Sequence, residues 1–526
     1  MEITMILCAA VIAVCIALNK FFYRFGIPAI LIFMGVGMLF GSEGLVKIPF
    51  SDYETAEVIC STALVFIMFY GGFGTSFTAA RPILTKAISL STLGVVITAG
   101  IMGLFCHYIL GMSLKEGLLI GAVISSTDAA SVFFILRSKK LNLKEGTASL
   151  LEVESGSNDP FSYMLTVIIL GWMSGESQNI LLMLIQQIGF GVLFGVGLGC
   201  VSIFLIRKTD FEIEDFDKIL VVAIVLSAYA GPVLLGGNGY LSVYLLGILI
   251  GNARFENKTP LVHFFDGINH IAQLLIFFLL GLLVFPSHLA PMLGTAVLIF
   301  LCLTFLARPA CVFLLLTPLK ASVRQQVLVA FSGLRGAASI VFAIMAVTSP
   351  AYGKDNVFNI VFCVALISVL LQGLLLPVVS GKLGMVDETQ NVMRTFSDYQ
   401  EGLQMQLIQI KLKKGHRFIG RQIRDLKLDN MLVVLVERGE ESIVPQGDLT
   451  LRQGDILVLS GESYHGETSL SEVQVKENDP RIGKKIKELS GLDNALIVLI
   501  KREDGNTVIP NGNTVIRGGD ILVITD

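Results

Sequence analysis

Glu154-Ser155-Gly156-Ser157-Asn158-Asp159-Pro160 stands in the middle of a long apolar segment. Ionisable groups at bilayer depth are costly, so Glu154 and Asp159 require partners or a water-filled path. The stretch therefore reads as a cation site inside a membrane span. On a helix, Glu154 and Asn158 share one face, and Ser155 and Asp159 share another a little over a quarter turn away. One helix can thus offer Ser155 and Asp159 oxygens to a cation while Glu154 turns to a different neighbour. Pro160 disfavours helical geometry at Asp159 and can open the backbone there.

The surrounding sequence agrees with a membrane setting. Of 526 residues, 53% are hydrophobic, and charge is sparse until about residue 385. The formal net charge of -3 averages an almost charge-free part and a charged tail, and implies neither nucleic acid nor an acidic ligand. Stretches that can supply roughly 20 helical residues across a ~30 Å hydrocarbon core number about thirteen. They centre near residues 11, 35, 64, 98, 125, 159, 193, 227, 246, 275, 303, 336 and 370.

Alternate loops are basic: Lys20 and Arg24, Arg81 and Lys86, Arg137, Lys139, Lys140 and Lys144, Arg207 and Lys208, Arg254 and Lys258, Lys320 and Arg324. The opposite set has little beyond Lys47, Lys115 and Lys354. Basic loops face the cytoplasm, so the N-terminus is expected outside and the C-terminal tail in the cytoplasm of a multi-pass cell-membrane protein. The first apolar stretch lacks a basic leader and a cleavage site and reads as a retained span. Cys8, Cys15, Cys60, Cys106, Cys200, Cys302, Cys311 and Cys363 all fall in apolar spans without Cys-x-x-Cys spacing, and read as small buried hydrophobes. Gly189, Gly191, Gly195, Gly197 and Gly199 read as helix-packing positions.

Two further segments place a lone charge among small and hydroxyl residues: Ser125-Ser126-Thr127-Asp128-Ala129-Ala130 and Ser332-Gly333-Leu334-Arg335-Gly336. Paired, interrupted segments in the two halves of a transporter mark broken helices whose unwound backbone lines a midplane site. Asp128 is then a second carboxylate beside Asp159, and the Thr127 carbonyl is freed for a cation. Arg335 is the natural partner for Glu154, because a buried ion left alone costs several kcal/mol. Asp128 and Asp159 would remain uncompensated unless Arg308 serves one of them. Such carboxylates exchange a proton for a cation readily.

These motifs resemble the NhaP-like branch of the monovalent cation:proton antiporters over residues 1–385, and their wording is similar to bacterial potassium/proton antiporters. The resemblance implies an all-α domain of about thirteen transmembrane helices, with inverted repeats, two crossed discontinuous helices and an elevator-like movement. It also implies a homodimer. It makes Asp159 the ion and proton carrier, completes the site with Asp128, Thr127 and Ser155, and pairs Glu154 with Arg335. Asn158 stands where the electrogenic branch has a second aspartate, which implies electroneutral exchange of potassium or sodium for a proton. Ala129 departs from the proline that many relatives carry. No tightly bound cofactor is implied.

Past residue 385 the chain becomes charged and turn-rich, with residues 386–402 as a linker. Ile419-Gly-Arg-Gln-Ile-Arg-Asp-Leu is echoed by Ile482-Gly-Lys-Lys-Ile-Lys-Glu-Leu, and Met431-Leu-Val-Val-Leu-Val-Glu-Arg by Ala495-Leu-Ile-Val-Leu-Ile-Lys-Arg. The tail is therefore a duplicated small α+β fold, 403–465 and 466–526. Each copy reads strand, short helix, then strands ending in Gly454-Asp455 or Gly519-Asp520 turns. Both copies resemble the TrkA-C (RCK C-terminal) domain, a ligand-responsive module. No Gly-x-Gly-x-x-Gly follows a strand, so a dinucleotide is not expected. Related domains bind cyclic di-AMP, which makes it a candidate regulatory ligand.

Rival readings are a membrane-embedded aspartyl protease and a tail-gated cation channel. The first is associated with Gly-x-Gly-Asp, whereas Asn158 precedes Asp159; the second needs a carbonyl filter such as Thr-Val-Gly-Tyr-Gly, which is not found. A non-transporting sensor is disfavoured by the depth of Asp128 and Asp159. Of the histidines, His270 near a cytoplasmic span end is a candidate pH sensor, since His titrates near neutrality. His107, His263, His288, His416 and His465 read as ordinary interfacial or surface residues.

Overall fold

In lipid every backbone polar group must be satisfied within the segment, so the long apolar stretches become helices. Among the described residues eight are long and apolar enough to cross a membrane: Met5–Phe22, Tyr53–Gly74, Leu84–Tyr108, Ile180–Lys208, Phe216–Leu234, Pro260–Leu283, Pro286–Leu316 and Asn356–Lys382. Ala29–Phe40 and Gly239–Asn252 are shorter. The fifth span is broken into Leu114–Val123 and Ala129–Ser138, the twelfth into Val323–Phe331 and Ala337–Thr348. With Thr147–Met173 as the sixth, the described residues hold thirteen spans, the number expected. The breaks fall at the two segments where lone charges interrupt the apolar pattern.

The computed structural model describes residues 2–23, 28–139, 141–175, 179–208, 216–253, 255, 258–354 and 356–387. In the tail it describes 405–412, 416, 418–426, 428, 431–438, 441–443, 445–462, 470–475, 479, 481–486, 497–502, 507–508 and 514–525. Most of the expected linker 386–402, together with Arg24, Lys140, Arg254 and His465, lies outside the described residues. The chain divides into two compact units, Met1–Gly402 and Leu403–Asp526.

Close helix approach follows the small residues. Gly191, Gly195 and Gly199 of the seventh span lie against Asn238, Ser242 and Leu249 of the ninth, as their packing role predicts. Gly189 and Gly197 meet nothing within 4 Å, so the packing expectation fails for these two. All eight cysteines are free, but Cys8 and Cys200 are exposed and not buried as expected, because their spans bury few of their residues. Pro160 does not open the sixth helix either, since Thr147–Met173 runs through it. A proline removes one backbone hydrogen bond, whereas unwinding would strand several groups in a dry interior. Its carbonyl accepts a bond from Asn238 Nδ2 at 2.8 Å.

Among the described residues the tail holds two antiparallel four-stranded sheets of the same design. In the first, β1 (Met405–Lys411), β2 (Met431–Arg438), β3 (Glu441–Ile443) and β4 (Ile456–Glu462) are ordered β1-β4-β2-β3. In the second, β5 (Leu470–Gln474), β6 (Ile497–Lys501), β7 (Thr507–Val508) and β8 (Ile521–Thr525) are ordered β5-β8-β6-β7. Even the register shifts correspond, falling between Val433 and Leu435 and between Ile497 and Leu499. The short helix expected in the first copy is only a 3-10 turn, Ile423–Asp425.

Buried Asp455 closes the first Gly-Asp turn, accepting from Arg438 Nη2 and the Arg452 N–H, each at 2.8 Å. Hydrogen bonding from Arg438, assisted by Arg452, holds its carboxyl below the ordinary aspartate value of 3.8. A depressed folded-state value contributes stability that is full above the unfolded value and is lost as pH falls through the folded one. The tail of the full-length protein should therefore lose thermal stability as pH drops below about 4, the ordinary aspartate range. Asp455→Asn should flatten that loss in a melting series. An equally steep acid loss in the variant would show that Asp455 is not its source.

Candidate ion-binding site

The two helix breaks, residues 124–128 and 332–336, cross and satisfy each other. Asp128 N donates to the Leu334 carbonyl at 2.8 Å. Arg335 Nη1 donates to the carbonyls of Ser125 and Ser126 at 3.0 and 2.6 Å, groups that the first break releases. A guanidinium thus sits at the carbonyl end of Leu114–Val123, where the helix dipole favours positive charge. Gly336 permits the crossing, since a Cβ there would meet Asp128 Cβ at 2.5 Å. A Cβ on Gly333 would meet Arg308 Nε at 2.8 Å.

Asp128 caps the helix that follows the first break. Its Oδ1 accepts from the N–H groups of Ala130 and Ser131 at 3.0 and 3.3 Å, and its Oδ2 from Ser131 Oγ at 2.6 Å. An anion is stabilised there by otherwise unpaired N–H groups and by the helix dipole. Asp128 is therefore compensated, contrary to the expectation that it would stand alone.

The sixth helix presents its two faces as geometry requires. Ser155 Oγ donates to the Thr127 carbonyl at 2.7 Å and accepts from Ala129 N at 2.9 Å, closing the break. Asn158 brackets Thr127, its Nδ2 donating to Thr127 Oγ1 at 2.6 Å and its Oδ1 accepting from Thr127 N at 3.3 Å. Asp159 is buried, and its hydrogen bond among the described residues comes from Ser126 Oγ. Thr127, Asp128, Ser155, Asn158 and Asp159 are thus brought together at one crossing.

Glu154 turns away from them, but not to Arg335. Its Oε1 pairs with Arg308 Nη1 at 2.7 Å, with both side chains buried, and this corrects the expected Glu154–Arg335 pair. The reason is local: Arg335 is engaged by the broken helix, whereas the π-helical turn Leu303–Ala307 immediately precedes Arg308. Arg335 still acts electrostatically with Glu154, and Glu154 Oε2 and Arg335 Nη2 have no hydrogen bond among the described residues. Two buried guanidinium groups, Arg308 and Arg335, therefore lie among three carboxyl groups, those of Glu154, Asp128 and Asp159.

Sequence reasoning missed Ser126 as the partner of Asp159, and Ser131 as part of the Asp128 cap. It also missed Ser368 and Gln372, which sit on a second π-helical turn, Ser368–Gln372. Ser368 Oγ accepts from Arg335 N at 3.2 Å, and Gln372 Nε2 donates to the Phe331 carbonyl at 3.2 Å. Their spacing of four within an apolar span was the available signal.

A cavity of about 310 Å³ opens between the fourth, sixth and ninth spans, lined in part by Thr75, Ser91, Ser157, Phe161 and Tyr244. Ser157 lies two residues before Asp159 and so on the opposite side of the helix. His270 is exposed, with Nε2 3.7 Å from Asp266.

Crossed helix breaks around a buried carboxylate are the arrangement of a secondary transporter. The sodium/hydrogen exchanger transmembrane family profile matches residues 9–381, and the TrkA-C domain profile matches 407–465 and 470–525. The chain belongs to the sodium/hydrogen exchanger family, among cation/proton antiporters of NhaP type, and so is a transporter and not an enzyme.

The K(+)/H(+) antiporter NhaP of Alkalimonas amylolytica is 38% identical over 66% of this chain and 61% of its own length. The K(+)/H(+) antiporter NhaP2 of Shewanella sp. (strain MR-4) is 34% identical over 86% of this chain and 80% of its own. The sodium proton antiporter MjNhaP1 of Methanocaldococcus jannaschii at pH 8 has a TM-score of 0.65 and 25% identity, covering 73% of this chain and 99% of that one.

Proposed function

We propose that this chain exchanges potassium, or sodium, for protons one for one across the cell membrane, with Asp159 as the carrier. The observation that carries the reading is the placement of Asp159: Arg308 pairs with Glu154, a helix end and Ser131 hold Asp128, Arg335 is bonded to the Ser125 and Ser126 carbonyls, and among the described residues Asp159 has one hydroxyl donor, Ser126. A proton or a cation neutralises that carboxylate, and the neutral site can cross the barrier while the empty anionic one does not. Asn158, in place of a second ionised group, supports electroneutrality. A cation would draw the Ser155 hydroxyl and Thr127 carbonyl oxygen from one another and add Asp128. Potassium is supported by the names of the Alkalimonas and Shewanella relatives.

The same reading has the protein work as a homodimer, with an elevator-like shift of the crossed helices along the face bordered by the cavity. The basic-loop bias supports an outside N-terminus and a cytoplasmic tail. Domain limits of 1–385, 386–402, 403–465 and 466–526 follow from the composition change and the repeat. The two TrkA-C copies would bias the transport cycle when a nucleotide such as cyclic di-AMP binds, which requires unequal affinity for the transporter's two states.

Proteoliposomes loaded with a pH gradient and given potassium, sodium, lithium or rubidium, with and without cyclic di-AMP, test this directly. Potassium should collapse the gradient without creating a membrane potential. A truncation after residue 395 should keep basal exchange and lose any response to the nucleotide. Exchange that generates a potential, or identical nucleotide responses with and without the tail, would remove the corresponding part of the proposal.

A further inference from the structure

The third span, Tyr53–Gly74, borders the cavity with Thr75 at one end and carries Glu57 near the other. Glu57 Oε2 accepts from Thr348 Oγ1 at 2.6 Å, joining the third span to the end of the twelfth. No ion pair found among the described residues includes it. Tyr163 and Tyr229 lie within electrostatic reach of it.

Between Glu57 and the crossing stands a cluster of four rings. Tyr163 packs on Tyr240 at 5.0 Å and on Phe342 at 5.8 Å, and Tyr240 also contacts Phe342 at 5.8 Å and Tyr229 at 5.1 Å. Tyr163 follows Asp159 by one helical turn and so stands directly above it on the same face. Tyr163 and Phe342 belong to the spans that carry the ion site; Tyr229 and Tyr240 belong to the eighth and ninth. The ring cluster thus stands one helical turn from Asp159, on the face that Asp159 shares with Tyr163.

We propose that Glu57 is a cation-docking carboxylate at the outer mouth, holding a monovalent cation above the ring cluster and passing it to Asp159 when Tyr163 and Phe342 part from Tyr229 and Tyr240. Three of the four rings bear hydroxyl oxygens, which give a partly dehydrated cation successive ligands along the way. A carboxylate at a narrow mouth with low-dielectric walls raises the local concentration of cations. This assignment rests on the antiport reading and on the orientation proposed above.

The test is Glu57→Gln in full-length protein, assayed in right-side-out and everted vesicles. The half-saturating potassium concentration on the outer face should rise by about tenfold, while that on the inner face stays within about twofold. Glu57→Asp should keep most of the outer affinity. Thr348→Val, which removes the tie to the twelfth span but keeps the charge, should leave it unchanged.

If wild-type protein exchanges potassium and Glu57→Gln alters both faces equally, or neither, the docking role is wrong. It is also wrong if Thr348→Val reproduces the Glu57→Gln defect, since Glu57 would then be a structural tie. Wild-type vesicles that exchange no alkali cation would bring down the antiport reading and this assignment with it.

Discussion

Asp159→Asn is expected to reduce cation-driven collapse of a pH gradient in proteoliposomes to the level of protein-free liposomes. The amide matches the carboxylate in volume and can still accept the Ser126 hydrogen bond, so the helix crossing should survive. What disappears is the charge for which, in the proposed cycle, a proton and a cation compete. Asp128→Asn is the informative control for stability, because asparagine caps a helix about as well as aspartate and should cost at most a few tenths of a kcal/mol. Wild-type exchange by the Asp159→Asn protein would move the carrier elsewhere.

The second large effect concerns the buried Glu154–Arg308 pair. Arg308→Met strands the Glu154 carboxylate in a dry interior and should destabilise the transmembrane unit by about 3–5 kcal/mol. The double variant Arg308→Met with Glu154→Gln removes both charges and should recover much of that loss. Melting of the detergent-solubilised protein measures both. The same double substitution built on Arg335 should recover far less, because it also strands the carbonyls of Ser125 and Ser126. Equal recovery from the two doubles would return Glu154 to Arg335.

The number of spans and the position of both breaks were legible in the sequence, because a lone Asp128 or Arg335 among glycines, serines and threonines has no place in a lipid-facing helix. The pairing of charges across the bundle was not. Arg308 and Arg335 are both single arginines in apolar surroundings, and periodicity along one helix does not say which neighbour it meets. Arg335 is taken up by carbonyls freed only when the fifth span unwinds, which leaves Glu154 to Arg308.

Pro160 misled for a related reason: its local preference is weaker than the demand for satisfied backbone in a dry interior. The capping role of Asp128 was missed, although aspartate ahead of Ala129-Ala130-Ser131 is a residue that favours a helix start. In the tail, the paired sheets follow from repeated strand patterns that each fix their own register.

Residues 124–128 and 332–336 are gaps of equal length, and each supplies hydrogen-bond partners to the other. An added or deleted residue in one loop would leave acceptors of the opposite loop facing no donor. A change of length in either interruption should therefore disturb the partners of the other, some two hundred positions away in the chain.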